Sequence, residues 1–284
     1  MNVFLTAQYV KRHCTVENEG INMTKLFVFN FIMIAIIVLM LYIVKRTVKS
    51  EKQQNILLIC ASVGTVLLHY SMLFYHVADG TALQYLKETP NLILPIYPCN
   101  LVMWFAVIFA FCKNKRSRLA EFLGDYIFWF GLFSALVGMF ANVDFIMNPT
   151  FADFAITKSI VAHVTLLFNV LLLPMFGYVK LDLFRNMRNI LISIVVMLVT
   201  GLYCNLLFAV ISSEAVAYDV NSMFLLHSPF EGAEFFTYPV IALMSIPIYF
   251  AVFAACDYFA YEKGNRFYNR LCRYYKERRA EGRK

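Results

Sequence analysis

Charge is what this sequence lacks: Asp, Glu, Lys and Arg make up only 15% of its 284 residues, against 61% hydrophobic residues and a mean hydropathy of +0.64. So little polar material excludes a soluble domain, which must cover its core with hydrated side chains. Cysteine pairing is missing too. The seven cysteines, Cys14, Cys60, Cys99, Cys112, Cys204, Cys256 and Cys272, form no CxxC motif and are scattered along the chain. That pattern argues against a zinc site and against a disulfide framework. The start, MNVFLTAQYVKRHC, lacks the short apolar run and small-residue cleavage site of a signal peptide, so the first span is expected to serve as the targeting anchor. No nucleotide-binding loop, haem motif or metal cluster is present, and no cofactor is expected.

What is there in abundance is uninterrupted apolar sequence. Stretches near 26–44, 56–77, 92–112, 126–145, 159–178, 189–210 and 236–260 are each long enough to cross about 30 Å of hydrocarbon as a helix. The expected fold is all-α, a polytopic membrane protein of about seven transmembrane helices. It comprises an N-terminal segment (1–25), a single seven-helix domain (26–260) and a basic tail (261–284). Lys and Arg alternate between connections: Lys45, Arg46, Lys49 and Lys52 after the first span, Lys87 alone after the second, then Lys113, Lys115, Arg116 and Arg118. Lys158 stands alone after the fourth span, Lys180, Arg185 and Arg188 follow the fifth, and residues 211–235 have none. Because basic residues stay on the cytoplasmic side of short loops, the N-terminus is expected outside and the C-terminus in the cytoplasm. Nine of the 25 Lys and Arg follow residue 260, interleaved with Tyr261, Phe267, Tyr268, Tyr274 and Tyr275. The expected partner of this basic excess is the anionic cytoplasmic leaflet of the bilayer, not nucleic acid.

Orientation turns sequence position into depth. Cys99 in LPIYPCN falls about 10 Å, and His163 in SIVAHVTLLFN about 6 Å, below the outer boundary at 1.5 Å per residue. His69, His76, Asn142, Asp144 and Asn205 also fall in or near the outer half, with little that is polar in the inner half apart from boundary residues such as Asp125. Burying such groups in hydrocarbon costs a few kcal/mol each, so several at one level imply a shared polar cavity. Pro95 and Pro98 disturb the entry of the third span and leave carbonyls to be satisfied beside Cys99 and Asn100.

Singly, each residue has a structural role to fill: Cys99 as a small buried hydrophobe, His163 as an interhelical hydrogen bond, Asn142 and Asn205 as helix joiners. His69 and His76, seven apart on one predicted helical face, are too far apart to pair on a metal and are assigned to packing or cavity lining. Together, Cys99 and His163 have the composition of a nucleophile and its base: a thiol can take an acyl group as a thioester, and an imidazole can move the proton.

The segments LPIYPCN, GDYIFWFGLFSALVGMF, SIVAHVTLLFNVLLLP, GLYCNLLF and NSMFLLHSP resemble the YwaF-like family of bacterial integral membrane proteins. That family is related to a eukaryotic multipass family that includes an acyltransferase remodelling ether phospholipids, and more distantly resembles membrane hydrolases of branched fatty-acid esters. The resemblance implies acyl chemistry, with the nucleophile on Cys99 and the histidine on His163. Asn205, Asn221 and Pro229 fall in a later segment that would line the site. Here Ser222 follows Asn221 where the bacterial pattern has Tyr, and Val164 follows His163 where it has Gly.

The expectation is therefore a lipid acyltransferase or acyl hydrolase with catalytic Cys99 and His163. Its cavity would be lined by His69, Asn100, Asn205 and Asn221, and membrane phospholipid would be the substrate. The competing expectation is a non-catalytic solute-binding or transport protein, which broken helices and midplane polar groups also mark.

Overall fold

The computed structural model describes residues 16–88, 92–142, 145, 150–211, 213–228, 234–235 and 237–281. Cys14, Asp144 and Pro229, singled out above, lie outside them. The described residues are almost entirely helical and divide into two compact units, 1–178 and 179–284.

The first unit holds α1 (Val16–Thr47), α2 (Glu51–His69), α3 (Ser71–Ala78), α4 (Ala82–Glu88), α5 (Pro98–Phe111), α6 (Arg118–Phe140) and α7 (Phe154–Met175). Local chemistry sets these limits. Ser50 accepts from the Gln53 amide, and the Gln53 side chain accepts from the Ser50 amide, a reciprocal cap that starts α2. Pro98 occupies the first turn of α5, where its missing amide proton costs nothing. At the other end of α5, Lys115 Nζ donates to the carbonyls of Phe109, Ala110 and Cys112 at 2.6, 2.7 and 2.9 Å, placing a cation on the negative end of the helix. Burial pushes the pKa of Lys115 below its ordinary value, opposed in part by the Cys112 thiol. Ser117 and Asp153 cap α6 and α7.

The helices α1, α6 and α7 each contain a stretch long and apolar enough to cross a membrane. In α1 that stretch runs Thr24–Thr47 with only 11% of its apolar window buried, which leaves Phe31 and Val38 facing outward. An apolar surface of this kind belongs in lipid.

The second and third expected spans differ from the sequence-based outline. The second is a bent pair: α2 and α3 meet at 47° around Tyr70, whose hydroxyl donates to the Leu92 carbonyl. His69 and His76 therefore do not share one helical face. The carbonyl that the break exposes at His69 accepts from Lys158 Nζ at 3.4 Å. The third expected span is only 14 residues long in its helical part, because the chain through Pro95 enters as non-helical backbone and winds up at Pro98.

A single stripe on α6 organises the packing. Gly124, Gly131 and Gly138 recur every seven residues and so lie on one face. A Cβ at Gly131 would come within 2.5 Å of Val170 on α7 and 2.9 Å of Val102 on α5. Gly124 meets Phe109 and Leu173, and Gly138 meets His163. Small residues let helices approach closely where no hydrophobic effect drives them together. Both α5 and α7 pack on α6 and also on α2, so they stand diagonally across a four-helix core.

The second unit holds α8 (Leu183–Ile211), α9 (Glu214–Val220), α10 (Tyr238–Ala260) and α11 (Phe267–Glu281). Of these, α8 and α10 are long and apolar enough to span. By length and composition the described residues thus provide five spans, six with the bent pair counted as one. The result is an all-α polytopic membrane protein.

Candidate functional site

The site is built where α7 passes the end of α6. His163 lies one turn beyond Ser159, and its Nδ1 is 2.8 Å from the Ser159 carbonyl oxygen. A carbonyl only accepts, so in the neutral imidazole Nδ1 carries the proton and Nε2 keeps its lone pair. The ring lies against Gly138, where an added Cβ would sit 2.1 Å from Cδ2 and 2.2 Å from Nε2. Only glycine leaves room for it. Asn142 steadies the arrangement, donating to Ser159 Oγ at 3.2 Å and to the Gly138 carbonyl at 3.4 Å, while its oxygen accepts from the Phe145 amide at 3.0 Å. Ser159 and Gly138 are site residues that the sequence expectations missed. The signals were a serine one helical turn before the histidine and the glycine period of α6.

Cys99 sits in the first turn of α5 and is partly buried. Its sulfur is within reach of the backbone amides of Cys99 and Asn100 in the first turn, the second of which also donates to the Tyr97 carbonyl at 3.0 Å. Asn100 is buried and uses its oxygen to accept from the Tyr97 amide at 3.1 Å, closing the non-helical entry onto the helix. Its first role is a cap.

Gly131, which meets both Val102 and Val170, gives a common level from which to compare depths. Counting 1.5 Å per residue, Cys99 lies about 4.5 Å and His163 about 10.5 Å from it, in the same direction. The two differ in depth by roughly one helical turn, with His163 level with the non-helical segment before Pro98.

His69 closes α2 at the bend, its ring 5.3 Å from that of Tyr70. His76 Nδ1 is 2.8 Å from Thr81 Oγ1 and stacks on Tyr85 at 4.1 Å, a local role at the end of α3.

Polar groups are buried deeper in the first unit as well. Asn169, adjacent to the Val170 that packs on Gly131, is 1% exposed and donates to Thr65 Oγ1 at 2.8 Å and to the Ala61 carbonyl at 3.2 Å. This ties α7 to α2 near mid-depth. Asp125, on α6, is also buried.

Asn205 and Asn221 belong to the second unit, whereas the histidine cluster belongs to the first. Asn205 donates to the Ser222 carbonyl at 3.2 Å and accepts from the Ser222 amide at 2.8 Å, clamping the loop to α8. Asn221 adopts left-handed backbone (φ 44°) and bonds across its own turn to Leu226 and His227. Met223 and Phe224 are also left-handed, at φ 53° and 57°, a conformation that costs a residue with a side chain about 1 kcal/mol or more. Gly201 makes the docking possible: a Cβ there would come within 2.6 Å of Leu225 and 2.8 Å of Met223.

Comparison with known protein families matches the chain to the model described as the TMEM164 family, over residues 20–257. No curated protein and no solved structure matches the chain.

Proposed function

We propose, for a chain that belongs to the TMEM164 family of multipass membrane proteins, that it is a lipid acyltransferase or acyl hydrolase working through Cys99 and His163. The observation that carries this reading is the fixed imidazole: Nδ1 is committed to the Ser159 carbonyl, which leaves Nε2 as the base, in a slot that only Gly138 provides. The sequence resemblance to YwaF-like proteins, and through them to a eukaryotic phospholipid acyltransferase family, supports the same assignment.

The reaction follows from these groups. Nε2 takes the thiol proton as Sγ attacks the ester carbonyl of a phospholipid. The Sγ–C bond forms, the ester C–O bond breaks, and the imidazolium returns the proton to the departing lysolipid hydroxyl. A second alcohol or water then attacks the thioester, again losing its proton to Nε2, and the thiol is regenerated. For the proton to pass directly or through one water, the Cys99 and His163 side chains must close the difference in depth of about one turn. His69 and Asn100 line the approach in this reading. Asn205 and Asn221 hold the loop of the second unit. The alternation of basic residues supports an external N-terminus and a cytoplasmic C-terminus, with lipid entering from the outer leaflet.

Transport is the reading that a midplane asparagine would favour, but the side-chain nitrogen of Asn169 is taken up by Thr65 and Ala61 in joining α7 to α2.

The test is reconstitution with phospholipid labelled in one acyl chain and analysis of lipids by mass spectrometry. Transfer or release of the label is expected from the wild-type protein and should be lost in Cys99→Ala. Turnover that is equal in both would end the proposal.

A further inference from the structure

From the second unit we infer that α11 is a membrane-surface helix that seats on anionic phospholipid of the same bilayer and is held at that level by a buried ion pair. This inference does not depend on the acyl chemistry.

Two stripes on the helix carry the argument. Phe267, Arg270 and Tyr274, spaced three and four apart, form the docked stripe. Phe267 packs on Phe250 and Phe253 of α10 with ring centres 5.8 and 5.7 Å away, and Tyr274 lies 5.7 Å from Phe184 of α8. Between them Arg270 meets Asp257, which is fully buried in the last turn of α10, at 2.6 Å. The other Asp257 oxygen accepts from the Phe267 amide at 2.7 Å. A buried carboxylate without its partner is costly, so this pair fixes where α11 runs. Because Asp257 closes a spanning helix and Phe267 reaches back to Phe250 and Phe253, α11 is kept at the boundary between hydrocarbon and headgroups.

The second stripe is Tyr268, Cys272, Tyr275 and Arg279, with Lys276 beside it, and all five are exposed. They recur at helical spacing more than a third of a turn from the docked stripe. Residues 263–281 contain seven Lys or Arg and two Glu. Several cations are engaged internally: Arg266 lies 3.6 Å over the Tyr258 ring, and Arg273 bonds to Asn265. Lys276 and Arg279 stand on the exposed side with the tyrosines. Amphipathic rings at headgroup depth flanked by cations match an anionic lipid surface in both chemistry and level.

Hydrogen exchange of the full-length protein in nanodiscs of phosphatidylcholine, with and without phosphatidylserine, tests this. Exchange over 267–281 is expected to slow about tenfold when phosphatidylserine is present. The variant Tyr268→Ser/Tyr275→Ser/Lys276→Ser/Arg279→Ser should lose that difference while keeping the Asp257–Arg270 pair. In Asp257→Asn, exchange should rise in both kinds of disc. Equal exchange of the wild-type helix with and without phosphatidylserine, or a difference that survives in the stripe variant, would overturn the seating. Unchanged exchange in Asp257→Asn would overturn the pin.

Discussion

At the scale of single residues, Gly138 is the sharpest test of how His163 is held. In Gly138→Ala the new methyl has nowhere to go but into the imidazole, so the ring must leave the Ser159 carbonyl or α7 must move. Acyl transfer should fall toward the level of His163→Gln, for which loss of a proton-transfer group predicts about a hundred- to ten-thousandfold decrease. Gly64→Ala on α2 is the matched control. Nothing lies within 4 Å of its new Cβ, and alanine is the better helix former, so activity should hold and stability should stay the same or rise by up to about 1 kcal/mol. Labelled-lipid turnover and thermal unfolding in detergent separate the two outcomes. Equal behaviour of the two variants would mean that the slot over Gly138 has no part in the chemistry.

Between helices, the account rests on close approach and a few buried hydrogen bonds. Gly131→Val should force α5 and α7 apart and cost about 1–3 kcal/mol, read as a lowered midpoint of thermal unfolding. The Asn169–Thr65 bond should show a coupling of about 0.6 kcal/mol in a double-mutant cycle, the usual worth of such a bond between helices in lipid. In the second unit, Asn205→Ala strips partners from both the amide and the carbonyl of Ser222, each costing about 1–3 kcal/mol when left buried. Hydrogen exchange over 221–228 should accelerate in that variant. Unchanged exchange would show that the left-handed turn is held by something else.

Much of the element level was legible in the sequence, because apolar runs of spanning length and prolines at a helix entry act locally. The spans at 126–145, 159–178 and 189–210 lie within α6, α7 and α8 or overrun them by a few residues, and the non-helical entry at Pro95 and Pro98 is where two prolines would put it. The bend at Tyr70 was not legible. LLHYSMLFYH holds no proline or glycine to mark a break, which is tied instead to a bond from Tyr70 to a carbonyl 22 residues away. The same limit applies to the site. Cys99 and His163 stand out as polar groups in apolar sequence, whereas Ser159 and Gly138 acquire their meaning only when α6 and α7 are packed together.

For the whole molecule, the first unit brings His163, Ser159, Asn142 and Gly138 together and carries Cys99 at the head of α5, while the second provides a clamped loop and a basic C-terminal helix. Family membership and the apolar helices make the chain a multipass membrane protein. What sets the account apart from a helical scaffold is that one thiol carries an acyl group during turnover. Mass spectrometry of the peptide containing Cys99, taken after the protein is incubated with phospholipid in the absence of an acyl acceptor, measures this directly. The account predicts an acyl mass on Cys99 that hydroxylamine removes and that Gly138→Ala and His163→Gln diminish. A protein that turns over lipid while Cys99 stays unmodified, or that acylates equally with His163 replaced, would contradict it.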